Sequence, residues 1–310
     1  MSSLPMCNSL CHQFRLMSQF VETDATDAQA SEAPLPPGLY IVATPIGNLG
    51  DLSPRAASIL SRVEAIAVED SRVTAKLLHH LGIKRPMTPY HDHNADKVRP
   101  GLVERMAHAP VALVSDAGTP LISDPGYKLV RDARAAGIAV TTIPGPCAAV
   151  AALTLAGLPT DRFFFLGFLP SKEKARAEAI EEVASIRATL ILYESGPRLG
   201  ATLAALAKGL GDREAAVVRE ISKRFEESVA APLSVLADRY AEAGPKGEIV
   251  IVVGPPGPTP AATQDDAAAL LRTALQHLPA AKAAGEVARA TGLNRRDLYA
   301  KAMAMKGGRE

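Results

Sequence analysis

Residues 111–126 read Val-Ala-Leu-Val-Ser-Asp-Ala-Gly-Thr-Pro-Leu-Ile-Ser-Asp-Pro-Gly. The run 111–115 is apolar and β-branched, which predicts a buried strand, and a helix follows over 126–136, stopped by Gly137. The twelve residues 115–126 carry no periodic pattern, and that is long for a strand-to-helix connection in a compact domain. The same grammar extends in both directions. Upstream, the strand 39–43 turns at Thr44-Pro45-Ile46-Gly47-Asn48, and Ser53 caps a helix that has Pro54 at its first position. A strand over 65–69 and a helix over 74–81, stopped by Gly82, come next. Downstream lie a strand over 139–143 and a helix over 147–156, stopped by Gly157. Strands alternating with glycine-terminated helices describe a parallel α/β sheet over residues 38–158.

The grammar changes after that. Strand 163–168, a charged helix 171–185, strand 189–193 and helix 198–210 are followed by strands 216–219, 226–230 and 248–253 with a single helix, 232–243, among them. That pattern predicts a mixed, partly antiparallel sheet, hence a second α/β domain over 159–254. Pro255, Pro256, Pro258 and Pro260 mark a stiff linker over 255–264, and only helical patterns occupy 265–310. Residues 1–37, rich in Ser, Asp, Ala and Pro without a period, read as a disordered leader. A chain of 310 residues accommodates two domains with an appendage.

Charge limits the partners. Lys and Arg number 34 against 33 Asp and Glu, so a uniformly basic wrapper of nucleic acid is excluded. The balance is uneven, at −3 over 1–37, +4 over 281–310 and zero between. Three cysteines exclude a disulfide framework and point to a reducing compartment. Cys7, Cys11 and His12 lack the fourth ligand of a metal site. The longest apolar stretch, 148–158, is about half a membrane span. The first twenty residues lack a signal-peptide pattern, so the expected location is the cytoplasm.

Open α/β sheets bind ligands beyond the carboxyl ends of their strands. Here those loops are 44–50, 69–72, 115–126 and 144–147, and none carries a dinucleotide fingerprint or a Walker loop. Three of them join Gly with Pro, which fixes turns and lets a ligand approach backbone N–H and C=O groups. A neutral, backbone-lined cleft suits a zwitterionic or adenosine ligand better than a triphosphate; the competing reading is turn punctuation alone. Asp116 and Asp124 have two readings, holding a ribose hydroxyl or an amino group, or capping turns.

The strings GLYIVATPIGNLGDLSPRA, AVEDSR, HDHN, LVSDAGTPLISDPG, IPGPCA, GFLP, YESGPR and GEIVIVVG occur in this order. With them the chain resembles the tetrapyrrole methylase superfamily, a two-domain class of methyltransferases (class III). Within it the resemblance is to the ribosomal small subunit RNA methyltransferase I family, over residues 38–254 and more loosely to the C-terminus. The resemblance implies S-adenosylmethionine as methyl donor, bound between the domains. It implies 2′-O-methylation of a decoding-site cytidine (cytidine 1402) of 16S rRNA in the small ribosomal subunit. It also implies a homodimer, with neither DNA nor a membrane as partner. Carried over by position, the donor site takes Pro45, then Asp116, Gly118, Leu121 and Ile122. Pro144, Gly145 and Cys147 follow, with Tyr193 and Glu248 or Ile249 from the second domain. One departure stands out. Where tetrapyrrole members read GDPxxYG, residues 118–124 read Gly-Thr-Pro-Leu-Ile-Ser-Asp, which argues for the RNA-methylating branch.

Facing the substrate under this reading are Glu69, Asp70 and Arg72, whose alternative role is a local ion pair, together with Asn94. His91 and His93 alternate like a metal pair, but methyl transfer from a sulfonium needs no metal, and none is expected. A ribose hydroxyl is a weak acid, so attack needs in-line placement and a base. His91, His93, Asp70 and Glu69 are the candidates, and the sequence does not choose among them. Arg198 either reaches a phosphate or caps its helix against Glu194. Lys172, Lys174, Arg176, Lys223 and Arg224 form a possible basic patch opposed by Glu173, Glu226 and Glu227. With 6 Tyr, 7 Phe and no Trp, a row of base-stacking platforms is not expected. Residues 283–290, 291–293 and 294–303 read helix, turn, helix and place Arg295, Arg296 and Lys301 on the second helix. This hairpin either contacts RNA or packs in the dimer. The rival functions are methylation of a tetrapyrrole precursor and non-catalytic RNA binding during ribosome assembly.

Overall fold

A computed structural model describes residues 33–242, 244–257 and 264–307. The expectations for residues 1–32, including Cys7, Cys11 and His12, lie outside the described residues, as do those for Ala243, Pro258 and Pro260.

The first unit runs β1 (Gly38–Val42), α1 (Pro54–Arg62), β2 (Ala65–Val68), α2 (Ser71–His80), β3 (Met87–Pro89), α3 (Ala95–Met106), β4 (Pro110–Val114), α4 (Tyr127–Ala135), β5 (Val140–Ile143) and α5 (Ala148–Leu155). Its strands form one sheet in the order β3-β2-β4-β1-β5, with every pairing parallel. Helices cover both faces, so β2 is buried along its whole length. Along β1 the side chains alternate between two core layers. Tyr40 and Val42 pack with Ile59 and Leu60, while Leu39 packs with Met106, Leu113 and Leu129. Ser53 caps α1 by accepting from Ala56 N at 3.1 Å, an interaction worth about 1 kcal/mol. Asp70 caps α2 in the same way, which starts that helix at Ser71, three residues before the sequence pattern does. No element is predicted between Gly82 and residue 111, whereas the structure has β3 and α3 there.

The second unit runs β6 (Phe163–Phe168), α6 (Glu173–Val183), β7 (Thr189–Ser195), α7 (Leu199–Leu210), β8 (Glu214–Arg219), β9 (Glu227–Pro232), α8 (Leu233–Arg239) and β10 (Glu248–Val253). Its sheet order is β6-β7-β10-β8-β9. β6 and β7 are parallel and the other pairs antiparallel, the mixed sheet that the sequence predicts. One face is packed by α6, α7 and α8 through Ile180, Leu203, Leu206 and Leu236. The other face receives Ala149, Ala152 and Leu153 of α5 against Ile191, Ala216, Val218, Val250 and Val252. A helix of the first unit therefore closes the core of the second, and small side chains on it let helix and sheet approach closely.

The last three helices, α9 (Gln264–Ala274), α10 (Ala280–Thr291) and α11 (Arg295–Gly307), have a core of their own built on Leu271, Ala283, Ala284, Val287, Leu298 and Ala302. Gly292 ends α10 in the left-handed conformation at φ 71°, the turn of the helix-turn-helix pattern. Among the described residues no helix is long and apolar enough to cross a membrane.

Candidate active site

In the first sheet β1 and β4 are neighbours whose connections leave in opposite directions, β1 toward β2 and β4 toward β5. A crevice opens beyond their carboxyl ends at such a point. Here the loops after β1 and β4 are tied across it by an isolated bridge. Thr44 N donates to Gly118 O at 2.9 Å, and Gly118 N donates back to Thr44 O at 3.1 Å. Gly118 sits at φ 82°, and a Cβ there would come within 3.2 Å of Ile46 Cγ2. Glycine is needed for the conformation and for the space.

The crevice is roofed by the second sheet. A cleft of about 220 Å³ is lined by Ile46, by Ala117–Thr119 and 122–124 of the long loop, and by Cys147 and Ala148 at the start of α5. From the second unit come Phe168, Tyr193, Glu194, Ile221 and Glu248 to Val250. The contribution of β7 and β10 follows from register, since Val250 pairs with Tyr193 and Ile249 with Glu194. Tyr193 anchors the junction. Its hydroxyl accepts from Ala149 N at 3.2 Å, and its ring meets Phe165 and Phe168 edge-on at 5.0 and 5.6 Å. Burial is the main cause that pushes its hydroxyl up to about 12, so it stays protonated.

Carboxylates dominate the electrostatics. Asp124 is pushed up to about 6, first by burial and then by the charges of Glu69 and Asp116, against a hydrogen bond from Ser115. Glu69 and Asp116 are raised as well, each chiefly by burial. Asp116 N donates to Glu69 Oε2 at 3.4 Å, and Asp116 Oδ1 accepts from Asp70 N at 3.0 Å, which laces the loops after β2 and β4 together. Asp70 is different. Its hydrogen bonds with Arg72, at 2.5 Å for the closest pair, hold it down to about 2.

The sequence-derived candidates therefore separate by position. Gly118, Ile122, Cys147, Tyr193, Glu248 and Ile249 line the cleft. Pro45, Asp116, Leu121, Pro144 and Gly145 belong to the loops that shape it without lining it. Leu121 packs into the core beside Leu113 and Leu129, and a Cβ on Gly145 would stand 2.9 Å from Ala43 Cβ. Sequence reasoning missed Ile46, Ala117, Thr119, Ser123, Ala148, Phe168, Glu194, Ile221 and Val250 as lining residues. The signal for Phe168 was its place in GFLP at a strand end.

On the substrate side, Glu69 and Asp70 after β2, Arg72 in the first turn of α2, and His91 and His93 after β3 do not lie on the cleft wall. The two imidazoles stand 6.0 Å apart, and His91 Nδ1 is buried without a hydrogen-bond partner. Asn94 braces this loop, accepting from His91 N at 2.9 Å and donating to Pro89 O at 2.9 Å. Arg198 donates to Leu169 O at 2.6 Å and faces Glu194 at 3.4 Å, the capping arrangement rather than one aimed at solvent. Arg295 and Arg296 are exposed at the start of α11, and Lys301 is half-buried on the same helix. Among the described residues no group of three or more His, Cys, Asp or Glu is placed to hold a metal ion.

Residues 38–237 match the family model of tetrapyrrole (corrin/porphyrin) methylases. The ribosomal RNA small subunit methyltransferase I of Erythrobacter litoralis is 55% identical over 276 residues, covering 89% of this chain and 98% of the relative. The chain belongs to the ribosomal RNA small subunit methyltransferase I family. A second methyltransferase I, from Mesorhizobium japonicum, is 48% identical over 88% of this chain and 94% of its own. Residues 261–306 match the model described as the RsmI C-terminal HTH domain, so the methyltransferase I likeness extends through the last three helices. Among solved structures, diphthine synthase aligns with TM-score 0.55 and 16% identity over 70% of this chain and 89% of that one. A uroporphyrin-III-C-methyltransferase from Thermus thermophilus aligns with TM-score 0.52 and 21% identity over 71% and 94%. At such identities these neighbours establish the fold alone, which this chain shares with them.

Proposed function

We propose that this chain transfers a methyl group from S-adenosylmethionine to the ribose 2′-hydroxyl of a decoding-site cytidine in 16S rRNA, within the small ribosomal subunit. The observation that carries the reading is the interdomain cleft, in a chain whose relatives are named for rRNA methylation. Its residues fit the donor. Ile46, Phe168, Ile221, Ile249 and Val250 offer apolar walls for an adenine, and Gly118 leaves room where any side chain would intrude. Among the described residues that line it, the cleft has no Lys, Arg or His to repel a ligand with ammonium and sulfonium groups. When bound, the donor supplies an activated methyl group on a good leaving group. The chain's own task is placement, exclusion of water and removal of the hydroxyl proton.

RNA affinity falls to the last helices, where Lys282, Arg289 and Arg295 line one shallow groove and Arg295 and Arg296 another. Exposed Phe163 and Phe164 on edge strand β6 support a homodimer, and the expected location is the cytoplasm. The test is transfer of labelled methyl to small subunits from cells lacking the activity, followed by mass mapping of the rRNA. The expected product is one ribose methyl at the decoding-site cytidine. Base methylation, methylation of a porphyrinoid or no transfer overturns the reading.

A further inference from the structure

Three carboxylates line the cleft, and two of them are committed elsewhere. Glu194 is 3% exposed, accepts from Ser195 N at 2.8 Å and Thr202 Oγ1 at 2.6 Å, and faces Arg198. Glu248 pairs with Lys223 at 3.0 Å. Asp124 has no ion pair among the described residues, and its partner is the Ser115 hydroxyl. The base candidates from sequence are less well placed. Asp70 is neutralised by Arg72, and Glu69, His91 and His93 do not reach the cleft wall.

We propose that Asp124 is the general base that removes the proton of the attacking ribose 2′-hydroxyl. This rests on the methyl-transfer reading above. In the step, the 2′-oxygen forms its bond to the methyl carbon as the carbon–sulfur bond breaks with its electron pair going to sulfur. The hydroxyl proton passes to Asp124, which then releases it to water. The sulfonium becomes a neutral thioether and the ribose a methyl ether.

The surroundings tune this group for the task. Asp116 beside it on the same loop and Glu69 from the loop after β2 raise its proton affinity, as burial does, and Ser115 opposes them. Tyr193 from β7 faces it as a neutral phenol, and Cys147 at the start of α5 lines the same cleft. With a value of about 6, the carboxylate is ionised at neutral pH and a stronger base than an exposed aspartate.

The experiment compares wild type with Asp124→Asn and Asp124→Glu by three measurements. These are calorimetric donor affinity, single-turnover methylation of small subunits between pH 5 and 9, and carboxyl-carbon NMR of Asp124. The expected results are at least ~100-fold slower transfer in the Asn variant, donor affinity within about threefold, and partial rescue by Glu. The wild-type kcat/KM falls below about pH 6 and the Asn variant loses that limb, while NMR finds the carboxyl titrating near 6 in the free protein. Transfer within threefold in the Asn variant, a loss confined to donor affinity, a surviving acid limb or a titration near 4 each overturns the proposal. Failure of the methyl-transfer reading looks different, because wild type itself then leaves the RNA unmethylated and the base role falls with it.

Discussion

Asp124 carries a linkage consequence that does not depend on catalysis. Its folded-state value of about 6 lies above the ordinary 3.8, so the folded protein binds this proton more tightly than the unfolded chain. Stability therefore falls as pH rises from about 4 to about 6, and the deficit persists above that range. Asp124→Asn removes the deficit. The ligand-free variant is expected to melt higher than wild type at pH 8 and to lose that advantage near pH 4; a lower melting temperature at pH 8 refutes the account. Phe168 tests the cleft wall at the same scale. It is 57% exposed and touches Tyr193 edge-on, so Phe168→Ala should change folding stability by under about 1 kcal/mol. Donor affinity should fall about tenfold, readable by calorimetry. A variant at Gly118 is a poorer probe, because φ 82° strains any other residue there whether or not a ligand binds.

At the scale of elements, the buried apolar residues of the last three helices form a core of their own. A chain ending at residue 257 is therefore expected to fold and bind donor like the full chain, while binding RNA more weakly. If Lys282, Arg289, Arg295 and Arg296 contact phosphates, the slope of log affinity against log salt shrinks by roughly 3 to 4 in the shortened chain. Equal affinity and equal slope for the two chains would make the hairpin structural. Elements were legible where local chemistry and period agreed. Ser53 and Pro54 announce α1, and the glycines at 82, 137 and 157 close their helices. β3 escaped because it is a three-residue edge strand with a proline, and α3 because Pro100 stands inside it and its apolar face is weak. The cleft was half legible for a related reason. Motif strings report the loops of the first unit and Tyr193, Glu248 and Ile249 of the second, but that Ile221 and Val250 join them at the cleft follows from the pairing of β10 with β7 and β8, which no local pattern states.

Across the whole molecule, α5 joins the two sheets while the last helices share neither core. Heating should therefore give two transitions, one for the fused sheets and one for the helical unit. Saturating donor should raise only the first, by about 2.7 kcal/mol at a hundredfold excess over Kd. A single transition that moves as one with donor would contradict this division. The strand order adds a consequence for synthesis. The first sheet is complete once β5 has been made at Ile143, but the second has β10, its last strand in sequence, between β7 and β8. During translation the first sheet can close on the order of ten seconds before residue 253 is added. Until then β7 and β8 lack the neighbour that joins them, and the walls supplied by Glu248, Ile249 and Val250 do not exist. The nascent chain is thus unable to hold a methyl donor until its second sheet is closed from the middle.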